Sequence, residues 1–121
     1  MKPLNILVVE DNPIIGILLA EVLRDMGHDV CAIEASESGA IDAAARCKPD
    51  LMIVDVQLVE GSGIRAVEQI SHWRQIPHVF VSGEMSSKKA FSPGAIVIQK
   101  PYREKDLVAA IERALGAPAL T

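Results

Sequence analysis

Short runs of aliphatic residues alternate with segments of helical period along the chain. The aliphatic runs lie at residues 4–9, 29–33, 51–54, 79–81 and 95–99 and are rich in valine and isoleucine. Runs of this length and composition are typical of buried β-strands. The pattern therefore predicts five strands, of which the second is the weakest.

Four other segments have the apolar spacing of amphipathic helices. The first begins at Asn12-Pro13, because asparagine is a favourable N-cap and proline is tolerated at the first helical position. Ser36 is a similar cap for the second helix. Residues 86–93 are polar and closed by proline and glycine, so they predict a further helix that is weak.

Alternating strands and helices favour parallel pairing, and near-continuous aliphatic strands favour a sheet covered on both faces. We therefore predict an α/β fold, a doubly wound five-stranded parallel sheet flanked by about five helices with the fourth weak. A (β/α)₈ barrel needs about 250 residues, and the chain has 121. That length fits a single domain, with a core at about residues 4–115 and a frayed tail at 116–121.

Composition narrows the class of protein. Hydrophobic residues make up 50% of the chain and charged residues 23%, which excludes a disordered polar chain. The net charge of −4 and the 3% of aromatic residues argue against a nucleic-acid partner. The longest apolar stretch, residues 13–20, is far shorter than the roughly 20 residues that span a bilayer. We expect a cytoplasmic domain with no membrane partner.

Histidine and cysteine show no pattern typical of a metal site. His28, His72 and His78 lack metal-ligand spacing, and we expect all three at the surface or at an edge of the sheet. Cys31 and Cys47 do not form a Cys-x-x-Cys motif. We expect both cysteines to be reduced and to act as small packing residues.

Polar residues follow four of the five predicted strands, namely Glu10-Asp11, Asp55, Ser82 and Lys100. The carboxyl ends of parallel strands lie along one edge of a sheet, so these side chains should converge. Carboxylates held close together repel one another, and Mg²⁺ relieves that repulsion with oxygen ligands. The pattern predicts that Glu10 and Asp11 hold the metal, Asp55 is the nucleophile, and Ser82 and Lys100 contact a phosphoryl group.

Each of these residues also has an ordinary structural interpretation when taken alone. Asp55 can cap the loop after a strand, and the pair Glu10-Asp11 can simply add charge before a helix. A serine at a strand end is commonly a turn residue, and a lysine is commonly solvated. The functional interpretation therefore depends on the joint pattern of all five positions.

The order and spacing of these residues resemble the receiver domain of bacterial two-component response regulators, over residues 4–115. The resemblance implies the flavodoxin-like strand order 2-1-3-4-5. It also implies phosphorylation of Asp55 by the phosphohistidine of a sensor histidine kinase or a histidine phosphotransfer protein.

The same resemblance implies roles for particular residues of the site. Ser82 and Lys100 would contact the phosphoryl group, and the peptide between Lys100 and Pro101 would be cis, a state accessible because proline follows. The Mg²⁺ ligands would be Glu10, Asp11, Asp55 and the backbone carbonyl of Gln57.

Two positions depart from the usual pattern of that family. Val97 stands three positions before the lysine, where an aromatic residue is usual, and Val59 stands where a proline is common after the acceptor. Both changes resemble a branch of single-domain regulators that lack the aromatic switch. We expect residues 86–93 to change between disordered and ordered states on phosphorylation.

We predict a phosphoacceptor signalling domain, rather than an enzyme, that switches partner binding or relays its phosphoryl group. It would be a monomer or weak dimer with a downstream protein partner. One alternative is a Mg²⁺-dependent phosphatase, although Gln57 occupies the position of the second aspartate of haloacid-dehalogenase-type enzymes. Another is a scaffold of the same fold that acts without phosphorylation.

One apolar stretch, residues 14–19, is too broad for a single buried face of a helix. Its side chains can serve as ordinary core with a spare aliphatic residue. Together with Tyr102, they can instead form a docking surface for a helical kinase partner beside the site. Both interpretations are compatible with the sequence.

Overall fold

A computed structural model describes residues 2–83 and 91–116. Residues 84–90, which contain most of the segment 86–93, lie outside the described residues, as do residues 117–121 of the predicted tail. The elements are β1 (Asn5–Val9), α1 (Pro13–Asp25), β2 (Asp29–Glu34), α2 (Glu37–Cys47), β3 (Leu51–Asp55), α3 (Gly63–Ser71), β4 (His78–Ser82), β5 (Val97–Gln99) and α4 (Glu104–Ala114).

All five strands form one parallel sheet in the order β2-β1-β3-β4-β5. This is the predicted doubly wound α/β fold. The described residues contain four helices, close to the predicted number. None of the helices within the described ranges is both long and apolar enough to cross a membrane.

The core has two layers because successive strand residues point to opposite faces of the sheet. Leu7 and Val9 pack on one face with residues of α2 and α3. Ile6 and Val8 pack on the other face with residues of α1 and α4. Every residue of β3 is buried, as expected for a central strand covered on both sides.

Side-chain caps begin three of the helices at the carboxyl edge of the sheet. Asn12 Oδ1 accepts hydrogen bonds from the amides of Ile14 and Ile15 at 3.0 and 3.2 Å. Ser36 Oγ accepts from the Gly39 amide at 3.0 Å, and Ser62 caps α3 in the same way. Each cap fixes where the chain turns from a strand-end loop into the next helix.

Of the two predicted positions for His28, the surface or an edge of the sheet, the structure supports the edge, because His28 directly precedes the edge strand β2 and is not at the surface. This residue is only 4% exposed, and its Nδ1 accepts a hydrogen bond from the Leu4 amide at 3.1 Å. The reason is its position after Gly27, where the chain leaves α1 and enters β2 beside the start of β1. The imidazole there satisfies a backbone amide at the amino end of β1.

Candidate functional site

The predicted site residues lie where strands end at one edge of the sheet. Asp55 is the last residue of β3 and Ser82 the last residue of β4, while Glu10 and Lys100 directly follow β1 and β5. Residue pairing keeps these ends level, since Val9 pairs with Val54, Asp55 with Val81 and Ser82 with Gln99. The parallel register therefore brings together residues that are far apart in sequence.

Lys100 connects two of the carboxylates. Its Nζ lies 2.9 Å from Asp55 Oδ2 and 3.4 Å from Glu10 Oε1. Glu10 and Asp55 are each 6% exposed, so both carboxylates are largely removed from water. An ammonium group at this distance offsets part of the cost of burying two negative charges.

Asp11 completes an acidic cluster with Glu10 and Asp55. One carboxylate oxygen from each of the three residues lies within 4.8 Å of the others. Opposite ligands of an octahedral Mg²⁺ ion are roughly 4.2 Å apart, so small side-chain movements bring this donor set into range. Asp11 is only half-buried, which leaves one side of the cluster open to water ligands. The residues fit Mg²⁺.

The proton affinities at the cluster reflect its burial and crowding. Burial raises the pKa of Glu10 above its usual range, and the nearby Asp55 adds to this, while the Asn12 amide on Glu10 Oε2 opposes it. Burial alone would lower the pKa of Lys100, but the hydrogen bond and charge of Asp55, together with Glu10, raise it overall. Lys100 is therefore a fixed positive charge at neutral pH.

The loop after β3 folds back against the Asp55 carboxylate. The Gln57 amide donates to Asp55 Oδ1 at 3.2 Å, and the Gly63 amide donates to the Val56 carbonyl at 3.0 Å. A Cβ atom at Gly63 would collide with the backbone carbonyl of Asp55, so this position needs glycine. The loop thus places the backbone of Gln57 beside the acidic cluster.

A small open cavity of about 340 Å³ lies over the cluster. Its lining residues are Asp11, Asp55, Gln57, Leu58, Val59, Gly83 and Lys100. Ser82 is 5% exposed, and its backbone carbonyl accepts from the Lys100 amide at 2.9 Å. The Lys100–Pro101 peptide is cis, as the resemblance implied. The structure thus brings all six predicted site residues to this one edge.

A second, apolar groove of about 740 Å³ lies next to the site, between α1 and the start of α4. Ile15 and Leu18 line it on the α1 side, and Tyr102 and Lys100 on the other. Burial raises the pKa of Tyr102 above its usual range, so its phenol is neutral at physiological pH.

The sequence pattern gives no sign of one contact near the site. Glu37, the first residue of α2, binds the loop after Asp55 through Ser62 and Arg65. No local motif indicates such a contact, because it joins residues that are 25 and 28 positions apart.

A doubly wound sheet with a buried aspartate, an acidic cluster and a lysine at its carboxyl edge defines an open α/β domain with a charged ligand site at that edge. The chain belongs to the response regulator receiver domain family, whose model matches residues 6–112. Receiver domains bind Mg²⁺ through an acidic cluster, and Glu10, Asp11 and Asp55 form a group able to hold a metal here.

Full-length response regulators are among its relatives. The chain is 32% identical over 118 residues to the transcriptional regulatory protein PdtaR of Mycobacterium tuberculosis, covering 94% of the chain and 58% of PdtaR. It is 35% identical over 121 residues to the KDP operon transcriptional regulatory protein KdpE of Escherichia coli, covering 97% of the chain and 53% of KdpE. The chain thus spans about half the length of these relatives.

Solved receiver structures superpose closely on the chain. The PhyR receiver domain of Erythrobacter litoralis is 30% identical, with a TM-score of 0.84, and the match covers 100% of this chain and 96% of that domain. PhyR of Brucella abortus is 27% identical, with a TM-score of 0.85, covering 95% of this chain and 49% of PhyR.

Receiver domains generally signal rather than catalyse. Protein-glutamate methylesterase of Halobacterium salinarum is also a relative, and the chain spans 36% of it.

Proposed function

We propose that this chain is a phosphoacceptor that takes a phosphoryl group on Asp55 from the phosphohistidine of a sensor histidine kinase or histidine phosphotransfer protein, in a reaction that requires Mg²⁺. One observation carries the proposal. A buried aspartate at the end of a central strand touches a lysine at 2.9 Å and lies within 4.8 Å of two further carboxylates. A capping aspartate needs none of these neighbours.

The proposed transfer is a single displacement at phosphorus. An oxygen of Asp55 forms a bond to phosphorus as the bond between phosphorus and the histidine nitrogen breaks. The electron pair leaves with the imidazole, which takes up a proton from water. The Gln57 amide and the Lys100 ammonium hold the two carboxylate oxygens of Asp55 in place for this step.

Positive charge is the second requirement of phosphoryl transfer. Glu10, Asp11 and Asp55, with the backbone carbonyl of Gln57, would hold Mg²⁺, which when bound neutralises charge on the phosphoryl oxygens. Lys100 would shift its hydrogen bond from Asp55 to a phosphoryl oxygen after transfer. The hydroxyl of Ser82, at the end of the adjacent strand, would donate a hydrogen bond to another phosphoryl oxygen.

A test of phosphorylation uses the protein with acetyl phosphate and Mg²⁺, followed by intact-mass measurement. We expect the gain of one phosphoryl group, lost when Mg²⁺ is chelated and lost in an Asp55→Asn variant. A protein that gains nothing under these conditions would be a scaffold. Steady release of phosphate over many turnovers would instead identify a phosphatase.

We further propose that the phosphodonor docks on the exposed apolar face of α1. Ile14, Ile17 and Leu18 are 69%, 53% and 56% exposed, and the adjacent groove reaches Lys100 and Tyr102. A helical partner seated there would bring its phosphohistidine to the edge that holds Asp55. The exposed apolar area is otherwise unfavourable for a protein surface.

The docking proposal predicts different effects on two phosphodonors. With a histidine kinase that phosphorylates the wild-type chain, Ile17→Ser should slow transfer about tenfold, the loss expected for an interface anchor. With acetyl phosphate the rate should stay unchanged, since that donor needs no docking surface. Trp73→Ser is the matched control, because Trp73 is also about half exposed but lies two residues after the end of α3. Equal effects of both substitutions would contradict the proposal.

The proposed output is binding of a downstream protein, or transfer of the phosphoryl group onward. PhyR of Bartonella quintana is described as an anti-anti-sigma factor, and the chain is 26% identical to it with a TM-score of 0.83, over 49% of its length. That description supports a protein partner rather than nucleic acid, as does the net charge of −4. We propose a monomer or weak dimer, which sedimentation of both phosphorylation states would test.

A further inference from the structure

Glu37 ties the start of α2 to the loop that follows Asp55. Its Oε1 accepts hydrogen bonds from the Ser62 amide at 2.9 Å and from Arg65 Nε at 3.2 Å. Its own backbone amide donates to the Glu60 carbonyl at 3.0 Å. Two of these contacts therefore hold the far end of the loop, and the third joins Glu37 to the first turn of α3.

The other end of that loop touches the acceptor carboxylate. Gln57 forms an isolated antiparallel bridge with Ser62, and the Gln57 amide donates to Asp55 Oδ1 at 3.2 Å. A continuous path thus runs from Glu37 through Ser62 and Gln57 to Asp55. Each link is a direct hydrogen bond or a backbone bridge.

The loop is shaped for a close approach to Glu37. Gly61 has φ of +93°, and a Cβ atom there would collide with the Glu37 side chain. Only glycine combines that conformation with that approach at low cost. The Glu37 side chain is 24% exposed, so it is partly enclosed by the loop that it binds.

We propose that Glu37 is a positioning residue for the phosphorylation site, fixing the loop so that the Gln57 backbone carbonyl faces the cluster of Glu10, Asp11 and Asp55. This inference depends on the proposed Mg²⁺-dependent phosphorylation of Asp55. Glu37 touches neither the cluster nor the phosphoryl group. It acts through Ser62 and Gln57.

The test uses four proteins besides the wild-type chain: Glu37→Ala, Glu37→Asp, Glu37→Gln and the control Asp42→Ala. Asp42 also lies on α2 and pairs with an arginine, Arg46, at 3.2 Å, but that pair does not involve the loop. Glu37→Gln keeps an acceptor of the right length for the Ser62 amide. Glu37→Asp keeps the charge but is one methylene shorter.

The first measurement is the Mg²⁺ dissociation constant by calorimetry, at a temperature where every variant is folded. Substituting a residue that directly orients a metal ligand typically lowers metal affinity 10–100-fold. Glu37 acts on Gln57 through Ser62, one contact further from the metal. Glu37→Ala should therefore weaken Mg²⁺ binding by a smaller factor, about fivefold. Glu37→Asp should weaken Mg²⁺ binding to a similar extent. Glu37→Gln and Asp42→Ala should stay within about twofold of the wild-type value.

The second measurement is the amide NMR spectrum of the metal-free proteins. We expect the Gln57 and Ser62 resonances to move in Glu37→Ala and Glu37→Asp but not in Asp42→Ala. This readout keeps the inference testable even if one variant is too unstable for calorimetry. A purely structural role would lower the free energy of unfolding without moving the Gln57 resonance or the Mg²⁺ affinity.

Two failures are distinguishable. A wild-type chain that binds Mg²⁺ and accepts a phosphoryl group, with a Glu37→Ala variant that matches Asp42→Ala in both measurements, overturns the inference alone. A wild-type chain that neither binds Mg²⁺ nor gains a phosphoryl group overturns the proposed function, and the inference with it.

Discussion

At the amino end of the sheet, polar side chains accept hydrogen bonds from backbone amides, whereas at the carboxyl end charged side chains also contact one another. Asp50 Oδ2 accepts from the Asn5 amide at 2.8 Å, and His28 Nδ1 accepts from the Leu4 amide at 3.1 Å. Opposite them, Lys100 lies between Glu10 and Asp55. Both ends hold polar groups, but Asp50 and His28 at the amino end each accept a hydrogen bond from a backbone amide and contact no other charged side chain through an ion pair within the described residues.

The difference separates structural polar groups from functional ones. A side chain that caps a backbone amide lowers the energy of the native chain and needs no ligand. Buried carboxylates placed beside one another raise that energy unless a cation joins them. The raised pKa of Glu10, caused by burial and by Asp55, reflects the second situation. Buried carboxylates placed close together are therefore the feature that distinguishes the site from the amino end of the sheet.

The largest expected effect comes from changing the two aspartates at opposite ends of β3. Asp55→Asn should abolish phosphorylation by acetyl phosphate, because the amide is not a nucleophile for this reaction. Asp50→Asn should leave phosphorylation at the wild-type level, since Asp50 lies outside the site and accepts from the Asn5 amide. Intact-mass spectra of both variants measure the result. A phosphorylated Asp55→Asn protein would show that another residue is the acceptor.

Removing the Lys100 ammonium group, which lies between the carboxylates of Glu10 and Asp55, is expected to have the next largest effect. In the absence of Mg²⁺, Lys100→Ala should lower the free energy of unfolding by about 1–3 kcal/mol, because it leaves two buried carboxylates without a cation. Added Mg²⁺ should recover most of that loss if the acidic cluster binds it. Urea denaturation with and without Mg²⁺ measures both quantities.

Lys105→Ala is a suitable control for that experiment, because Lys105 is exposed on α4. Its free energy of unfolding should change by less than about 0.5 kcal/mol and show the same response to Mg²⁺ as the wild-type chain. A Lys100→Ala protein as stable as this control without Mg²⁺ would contradict the charge argument.

At the amino end the expected effect is on stability alone. His28→Ala should lower the free energy of unfolding by about 1–3 kcal/mol, since the Leu4 amide loses its acceptor and a buried side chain is removed. The exposed His72 is the matched control, and His72→Ala should cost less than about 0.5 kcal/mol. Phosphorylation by acetyl phosphate should continue in both variants. Loss of phosphorylation in a folded His28→Ala protein would contradict the claim that polar groups at the amino end of the sheet affect stability alone.

The residues at the carboxyl end of the sheet could be predicted from the sequence because one general rule determines where they lie. Aliphatic runs identify the strands, parallel pairing aligns their ends, and the residues after those runs must then meet. Glu10, Asp55 and Lys100 follow this rule directly. The bridging position of Lys100, 2.9 Å from one carboxylate and 3.4 Å from the other, is a detail of packing that no sequence pattern specifies.

The amino end and the loop contacts depend on tertiary structure. His28 follows a helix-ending glycine, a position that normally predicts exposure, and it is buried only because β1 begins beside it. Glu37 looks like an ordinary acidic residue in the first turn of a helix. Its contact with Ser62 depends on the path of a loop 25 residues away. The strand β5 is also shorter, Val97–Gln99, than the predicted run 95–99.

The smallest expected effect concerns the pH dependence of the Glu37 contact. The Ser62 amide, followed by Arg65, holds the pKa of Glu37 below its usual value of 4.5. A carboxyl group with a lowered pKa in the folded state stabilises the protein above its unfolded pKa, and this stabilisation is lost as pH falls through the folded pKa. The melting temperature of the wild-type chain should therefore exceed that of Glu37→Gln at pH 7, and the difference should shrink below pH 4.5. In an Arg65→Gln background the difference at pH 7 should be smaller but still present, because the Ser62 amide still donates. A difference that is constant across this pH range would show that the carboxylate charge contributes nothing to holding the loop.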